Sequence, residues 1–324
     1  TLEEADKVSE VLLSNKVNYW TGTEGREFEK EFATFTDSEY AIVVANGTVA
    51  LDLALKALEI GEGDEVVVTS RTFIASISSI VNAGATPIFA DVDSDSQNIT
   101  PKTIKAVLSP TTKAIVCVHL AGWPCDMDGI MALAKEHDLK VIEDCAQAHG
   151  ARYQGKSGKG RSVGSIGHIG AWSFCQDKIM TTGGEGGMVT TNDKALWQRM
   201  WSYKDHGKSY DAVYLKEHPS GFRWVHESFG TNWRLTEMQS AIGRIQLARM
   251  PEWSTRRGAN AEAITEVCEK FPFLRVPRVP SGVTHAFYKF YAFVVPENLP
   301  SGWSRDRIIE ALSDSGVPCM QGSC

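Results

Sequence analysis

Between Tyr40 and Val189, short continuous apolar runs alternate with amphipathic stretches. AIVVA (41–45) precedes a helical pattern at Val49, Leu53, Leu55 and Leu58, and EVVV (65–68) precedes the stretch from Ile74 to Val81. PIFADV then precedes the capped PKTIKAVL, KAIVCV precedes MDGIMALAKEH, and LKVIED follows. Unbroken runs rich in β-branched residues are strands covered on both faces, and the stretches between them are the covering helices. The pattern predicts an α/β chain with a mostly parallel sheet wrapped by helices.

Beyond about residue 200 the character changes. A polar connector with Trp and Tyr, KDHGKSYDAVYLKEHPSGFRWVHESFG, leads to the amphipathic run LTEMQSAIGRIQLARM. FYKFYAFVV reads as a later strand and SRDRIIEALSDSG as a helix. We therefore expect a larger unit over residues 1–245, N-terminal helices included, and a smaller α+β unit over 246–324. No repeat, low-complexity tract or long charge block interrupts the chain.

Composition narrows the function classes. The net charge of −7 offers no global field for nucleic acid or an anionic membrane. No apolar run approaches the roughly 18–20 residues of a membrane span, and TLEEADKVSE lacks the profile of a signal peptide, so the expected compartment is the cytoplasm. The seven Cys, at 117, 125, 145, 175, 268, 319 and 324, are scattered without a CxxC pair; reduced thiols and no metal are expected. The chain starts at Thr1 and stops at QGSC, which reads as a piece of a longer protein.

Ligands of doubly wound sheets collect beyond the carboxyl ends of the strands, so the residues placed there are the candidates. After AIVVA, Asn46-Gly47-Thr48 opens a helix, whose free N–H groups and hydroxyl suit a phosphate or serve as a plain cap. After EVVVTSRT comes Phe73, either a ring for stacking on a flat ligand or a core residue. His119 follows KAIVCV, and Asp144 follows LKVIE, with Gln147 and His149 close behind. An Asp there caps a helix or keeps a heteroaromatic nitrogen protonated. AWSFC leads to Gln176-Asp177-Lys178 and then TTGGEGG: a solvated amine and a hairpin, or an amine that forms a Schiff base beside a roomy turn. Together these are a phosphate cup, a ring stacker, an acid for a pyridine nitrogen and an imine-forming amine, the parts that pyridoxal 5′-phosphate (PLP) requires.

One motif is refused. Gly150 to Ser157 matches GxxxxGK[ST], yet CAQAH separates it from the strand, and GKGRSVGSIGHIG cannot start a stable helix. We read a surface loop, whose Arg152, Lys156, Lys159 and Arg161 are available to a substrate diphosphate or to solvent.

The segments NGTVALDLAL, GDEVVV, GATPIFADVD, VHLAGWPCDMDGI, KVIEDCAQAHGA, WSFCQDKIMTTGGEGGMVTTND and FGTNWRLTEMQSAIG resemble, in order and spacing, the DegT/DnrJ/EryC1/StrS family of sugar aminotransferases. The resemblance runs from about residue 16 to the C-terminus. It implies a fold-type I PLP enzyme, a homodimer sharing its active sites, and transfer of an amino group from L-glutamate, released as 2-oxoglutarate, to a nucleotide-linked ketosugar. A family aminotransferase acting on a cyclitol or other non-nucleotide ketone, and an altered member serving as regulator or scaffold, are the alternatives. Lys178 matches the Schiff-base lysine and Asp144 the partner of the pyridine nitrogen. Gly47, Thr48 and Ser173 match phosphate contacts, Phe73 the stacking ring, Gln147 a neighbour of the ring hydroxyl, and Asn232 the residue reaching the other subunit's cofactor phosphate. His119, Arg234 and His285 are the substrate-side candidates, Arg234 for the donor carboxylate. The chain departs from the family pattern in a longer loop after Ala151, an extra Gly in TTGGEGG, and His168 where many members have Asp. The resemblance also implies more of the small domain beyond GVPCMQGSC.

Overall fold

A computed structural model describes residues 1–155 and 158–322; Lys156 and Ser157 of the GxxxxGKS match, and Cys324, lie outside the described residues. Two N-terminal helices, α1 (Leu2–Leu13) and α2 (Glu24–Phe35), lead into a repeating strand and helix order. It runs β1 (Tyr40–Val44), α3 (Gly47–Ala57), β2 (Glu65–Thr69), α4 (Ala75–Asn82), β3 (Thr86–Ala90), α5 (Pro101–Lys105), β4 (Thr112–Val118), α6 (Met127–Glu136) and β5 (Lys140–Asp144). Two short strands, β6 (Arg152–Tyr153) and β7 (Arg161–Ser162), precede β8 (Ile169–Ser173) and β9 (Gly187–Thr191). Then come α7 (Lys194–Tyr203), α8 (Tyr210–Tyr214), the 32-residue α9 (Glu237–Cys268), β10 (Leu274–Arg275), β11 (Val283–Thr284), β12 (Phe293–Val294) and α10 (Arg305–Asp314).

Seven strands form one sheet in the order β1-β9-β8-β5-β4-β2-β3, and only β9 runs against the others. The unbroken apolar runs are explained by two cores. Val66 and Val68 of β2 and Ala114, Val116 and Val118 of β4 face one core; Val67, Ile115 and Cys117 face the other. With both faces covered, strand alternation separates two apolar sets instead of apolar from polar. A third cluster joins α2 and α9 to β8 through Phe28, Phe32, Trp172, Phe174, Leu247 and Met250. Each fully buried Leu or Phe in these clusters contributes about 1.5–3 kcal/mol relative to exposure.

The structure bears on three expectations. From Glu237 the amphipathic run LTEMQSAIGRIQLARM is a helix that continues through Pro251 to Cys268, so the expected 245/246 division falls inside α9. Of FYKFYAFVV, only Phe293–Val294 is strand, paired with Leu274–Arg275 in a separate two-stranded sheet. Part of the loop after Ala151 is built into a three-stranded sheet, β11-β6-β7, and among the described residues no helix starts there. Among the described residues no helix is long and apolar enough to cross a membrane.

The helical layer is tied together by a buried acid. Glu237, at the start of α9, accepts the Glu24 and Gly25 N–H groups at 2.6 and 3.1 Å and so caps α2 across more than 200 residues of sequence. Helix N-termini leave such donors unsatisfied, and losing a partner there costs about 1–2 kcal/mol. Glu237→Ala is expected to lower the midpoint of thermal unfolding followed by circular dichroism; an unchanged midpoint contradicts this role.

Candidate active site

The carboxyl ends of the parallel strands and the start of β9 share one edge of the sheet, and there the sequence-selected residues gather. At β1, Asn46 caps α3 by accepting the Val49 N–H at 2.9 Å, which leaves the Gly47 and Thr48 end of the helix open. Ser173 ends β8 directly opposite: a Cβ on Gly47 would stand 2.5 Å from the Ser173 Cβ. Gly187, opening β9, lies equally tight on Asn46, where a Cβ would be 2.4 Å from its carbonyl oxygen. Glycine at these two positions lets helix N-terminus, hydroxyl and hairpin form one cradle.

Asp144 ends β5 and is 6% exposed. Its Oδ2 accepts from Ser76 Oγ at 2.7 Å and its Oδ1 from the Ala146 N–H at 3.1 Å; among the described residues it forms no ion pair. Burial raises its carboxyl above the usual range, against the pull of Ser76, the Ala146 N–H and the Lys178 charge. Ser76 is in turn bonded to Thr72 at 2.7 Å, so α4 supplies the second layer. Phe73, just ahead of α4, leaves its ring 61% exposed, open to stacking. Gln147 is buried, and its Oε1 accepts the Ala121 N–H at 2.6 Å, which fixes the amide with its NH2 side left to donate.

Lys178 sits in the connection from β8 to β9, its N–H bonded to Cys175 O at 3.0 Å. Its Nζ lies 3.4 Å from both Asp177 Oδ2 and Tyr288 Oη. His149 is enclosed between Trp172 and Phe174, and burial followed by the Lys178 charge pushes it down to about 3, so its ring is neutral.

Four substrate-side expectations change. His119 is fully buried, with Nε2 at 2.9 Å from Glu143 Oε2 and Nδ1 accepting the Cys125 N–H at 3.0 Å. Both ring nitrogens are used inside the protein, so His119 braces the core and offers nothing to a substrate. Glu143 also accepts the Gly164, Ile166 and Gly167 N–H groups at 2.6–2.9 Å, so the His119, Glu143 and Cys145 cluster is a hydrogen-bonded brace. Arg234 donates through Nη1 to the fully buried Asp205 at 2.6 Å, which commits that nitrogen to an internal ion pair. Of the loop cations, Arg152 bonds Asp37 and Gly160 O, and Arg161 bonds Ser165 O, so both secure the loop instead of facing a diphosphate. His168 accepts the Val141 N–H at 2.9 Å at the opposite end of β5 from Asp144, so that departure leaves the site untouched.

Asn232 is exposed; its backbone lies antiparallel to Asp205, held by the His206 N–H on Thr231 O and the Trp233 N–H on Lys204 O, and the Trp233 carbonyl accepts the Ala45 N–H at 2.9 Å just before the cradle. His285 stacks on Phe287 at 4.1 Å and edge-on to Trp123, and burial pushes it down to about 3, leaving it neutral. Ser76, Asp177 and Tyr288 were not singled out as site residues from the sequence; no strand-end position marks Ser76 or Tyr288, and Asp177 was overshadowed by its neighbour.

The model of the DegT/DnrJ/EryC1/StrS aminotransferase family matches residues 1–321. The chain belongs to this family. It is 43% identical over 261 residues to GDP-perosamine synthase of Escherichia coli O157:H7, covering 79% of this chain and 66% of that protein. It is 41% identical to the UDP-N-acetyl-3-dehydro-alpha-D-glucosamine 3-aminotransferase of Acidithiobacillus ferrooxidans, over 94% of this chain and 76% of that one. Among solved structures, an aminotransferase from Psychrobacter cryohalolentis superposes with a TM-score of 0.96 at 66% identity, over 100% of this chain and 82% of that one. S. venezuelae DesV gives 0.85 at 33% identity, over 98% and 78%.

DegT-family aminotransferases depend on PLP, and the fold is that of their known structures. The local chemistry fits this cofactor: a cradle that a Cβ would fill suits a phosphate, and a buried carboxylate without a cation suits a protonated ring nitrogen. Gly47→Ala pushes Ser173 and the α3 N-terminus apart and is expected to weaken PLP binding about tenfold or more, about 1.4 kcal/mol. An absorbance titration of refolded, circular-dichroism-matched protein checks it; wild-type affinity contradicts the cradle.

Proposed function

We propose that this chain moves an amino group from L-glutamate to the keto carbon of a nucleotide-linked sugar, in amino-deoxysugar biosynthesis, by a ping-pong sequence. One observation carries the reading: the family chain keeps an amine, Lys178, in the β8 to β9 connection, with the Asp144 carboxylate near enough to feel its charge. The sugar class is supported by the relatives, which include two GDP-perosamine synthases and two transaminases of dTDP-amino sugars.

When bound, PLP supplies an aldehyde that captures amines and a ring that accepts electrons. The α3 N-terminus, Thr48 and Ser173 would hold its phosphate, Phe73 would stack on its ring, Gln147 would donate to the ring hydroxyl, and Asp144 would keep the ring nitrogen protonated. Lys178 Nζ would be the group that bonds the cofactor, and its freed amine would take the proton from the donor Cα and deliver it to the cofactor carbon that had carried the aldehyde. Neutral His149 adds no competing positive charge beside that amine. Glutamate leaves as 2-oxoglutarate, and the acceptor sugar is aminated by the reverse transfers.

In the same reading the molecule works as a homodimer in the cytoplasm, where nucleotide sugars and glutamate are both present. The exposed Phe222, Trp224 and Phe229, just ahead of Asn232, support a second chain covering this segment. The cofactor-binding unit and the smaller C-terminal unit are joined through α9, which carries the chain across the expected 245/246 boundary, and the separate β10 and β12 pair supports the smaller unit.

The test is a panel of GDP-, UDP- and dTDP-linked ketosugars with glutamate, alongside a cyclitol ketone. One nucleotide sugar is expected to release 2-oxoglutarate, and Lys178→Ala to lower that rate by at least about a thousandfold. Turnover of the cyclitol ketone alone overturns the substrate class; full turnover by Lys178→Ala overturns the mechanism.

A further inference from the structure

Lys178 is not held by the strand end alone. Its amine, on a side chain 15% exposed, lies 3.4 Å from Asp177 Oδ2 and 3.4 Å from Tyr288 Oη, while Tyr288 donates to the same Asp177 oxygen at 2.5 Å. The three groups close a triangle, with Nζ 4.9 Å from the Tyr288 ring centroid. The bond between Tyr288 and Asp177 is short, as charge-assisted O–H···O⁻ bonds are, and the two lysine contacts are longer.

Tyr288 arrives at this triangle on a fixed backbone. Its N–H donates to Ala121 O at 2.9 Å, and Arg257 donates to Phe287 O at 3.0 Å. Phe287 itself sits at φ 48°, a left-handed conformation unfavourable for an aromatic residue, and these bonds on either side hold it there. Burial acts to raise the Asp177 carboxyl, but the Tyr288 hydroxyl and the Lys178 charge outweigh it and keep the group below the usual carboxylate range. Burial and the Asp177 charge push the Tyr288 phenol up, so it remains a donor.

We propose that Asp177 and Tyr288 are paired positioning residues that hold the Lys178 amine in place whenever it is not bonded to the cofactor. Tyr288 orients Asp177, and Asp177 orients the amine. The proposal rests on the reading of Lys178 as the cofactor-bonding amine. Proton transfer at the donor Cα is steeply sensitive to misplacement of the transferring atom, and within the protein the triangle's contacts converge on that amine. The pair therefore governs kcat with little effect on KM for glutamate.

The experiment compares wild type with Tyr288→Phe, Asp177→Asn, Asp177→Glu and the Asp177→Asn, Tyr288→Phe double variant. All are expected to keep the borohydride-sensitive absorbance band at about 410–430 nm that marks the Schiff base. Tyr288→Phe and Asp177→Asn are expected to lower kcat about tenfold with KM within about twofold, the double variant to be no worse than the poorer single, and Asp177→Glu to recover part of the loss. In cofactor-free protein, competitive acylation of Lys178 read by peptide mass spectrometry is expected to run about threefold faster or more once the tether is cut. Unchanged kcat and acylation rate, losses that multiply independently in the double variant, or variants that lose the band would each overturn the pairing. A wild-type protein without the band overturns instead the reading of Lys178.

Discussion

The site depends on one close approach, the seating of the α3 N-terminus against the end of β8 and the start of β9. Gly47 meets Ser173, and Gly187 meets Asn46, at separations that leave no room for a Cβ. That contact fixes where a phosphate would sit. It also fixes where the connection between β8 and β9 begins, and hence the reach of Lys178. Because β9 is the only antiparallel strand of the main sheet, this connection is a local return within one edge, and it delivers the amine to the same edge as the parallel strands' ends.

Beneath that edge lies a layer of buried polar groups with one task, to keep strand ends and loops in register. Glu143 gathers three backbone N–H groups and the His119 ring, while its neighbour Asp144 faces the site. Adjacent residues of one strand point to opposite faces, so β5 presents a bracing acid to one side and a chemical acid to the other. Asp205 does for the segment around Asn232 what Glu143 does for the loop at 164–167, through Arg234 and Lys208. Unpaired buried charge is costly, which is why Glu143 and the Oδ1 of Asp205 are matched by donors, and why Asp144, lacking an ion-pair partner among the described residues, stands out.

Much of this was legible in the sequence. Strands buried on both faces announce themselves as unbroken apolar runs, and the residues that follow them, Gly47, Phe73, Asp144, Ser173 and Lys178, fall at one edge because parallel strands end there together. What was not legible is decided by contacts distant in sequence. His119 occupies a strand end like Asp144, but its neighbours Glu143 and Cys125 consume both nitrogens. Arg234 reads as an anion anchor until Asp205, 29 residues earlier, claims its Nη1. FYKFYAFVV has the composition of a strand, yet Ala286 and Tyr288 donate their N–H groups to Gly122 and Ala121, which diverts the chain toward Lys178. Pro251 signals a helix stop, but packing of α9 against α1 and α2 outweighs the single hydrogen bond that a proline nitrogen cannot donate.

The central claim is that Lys178 is the amine that holds the cofactor, and one measurement meets it directly. Wild-type protein loaded with PLP is reduced with borohydride, digested, and its peptides weighed. The account predicts a phosphopyridoxyl group on the peptide carrying Gln176-Asp177-Lys178, fixed to Lys178 and to no other lysine. A label on another lysine, or no covalent label under conditions where PLP is bound, contradicts it.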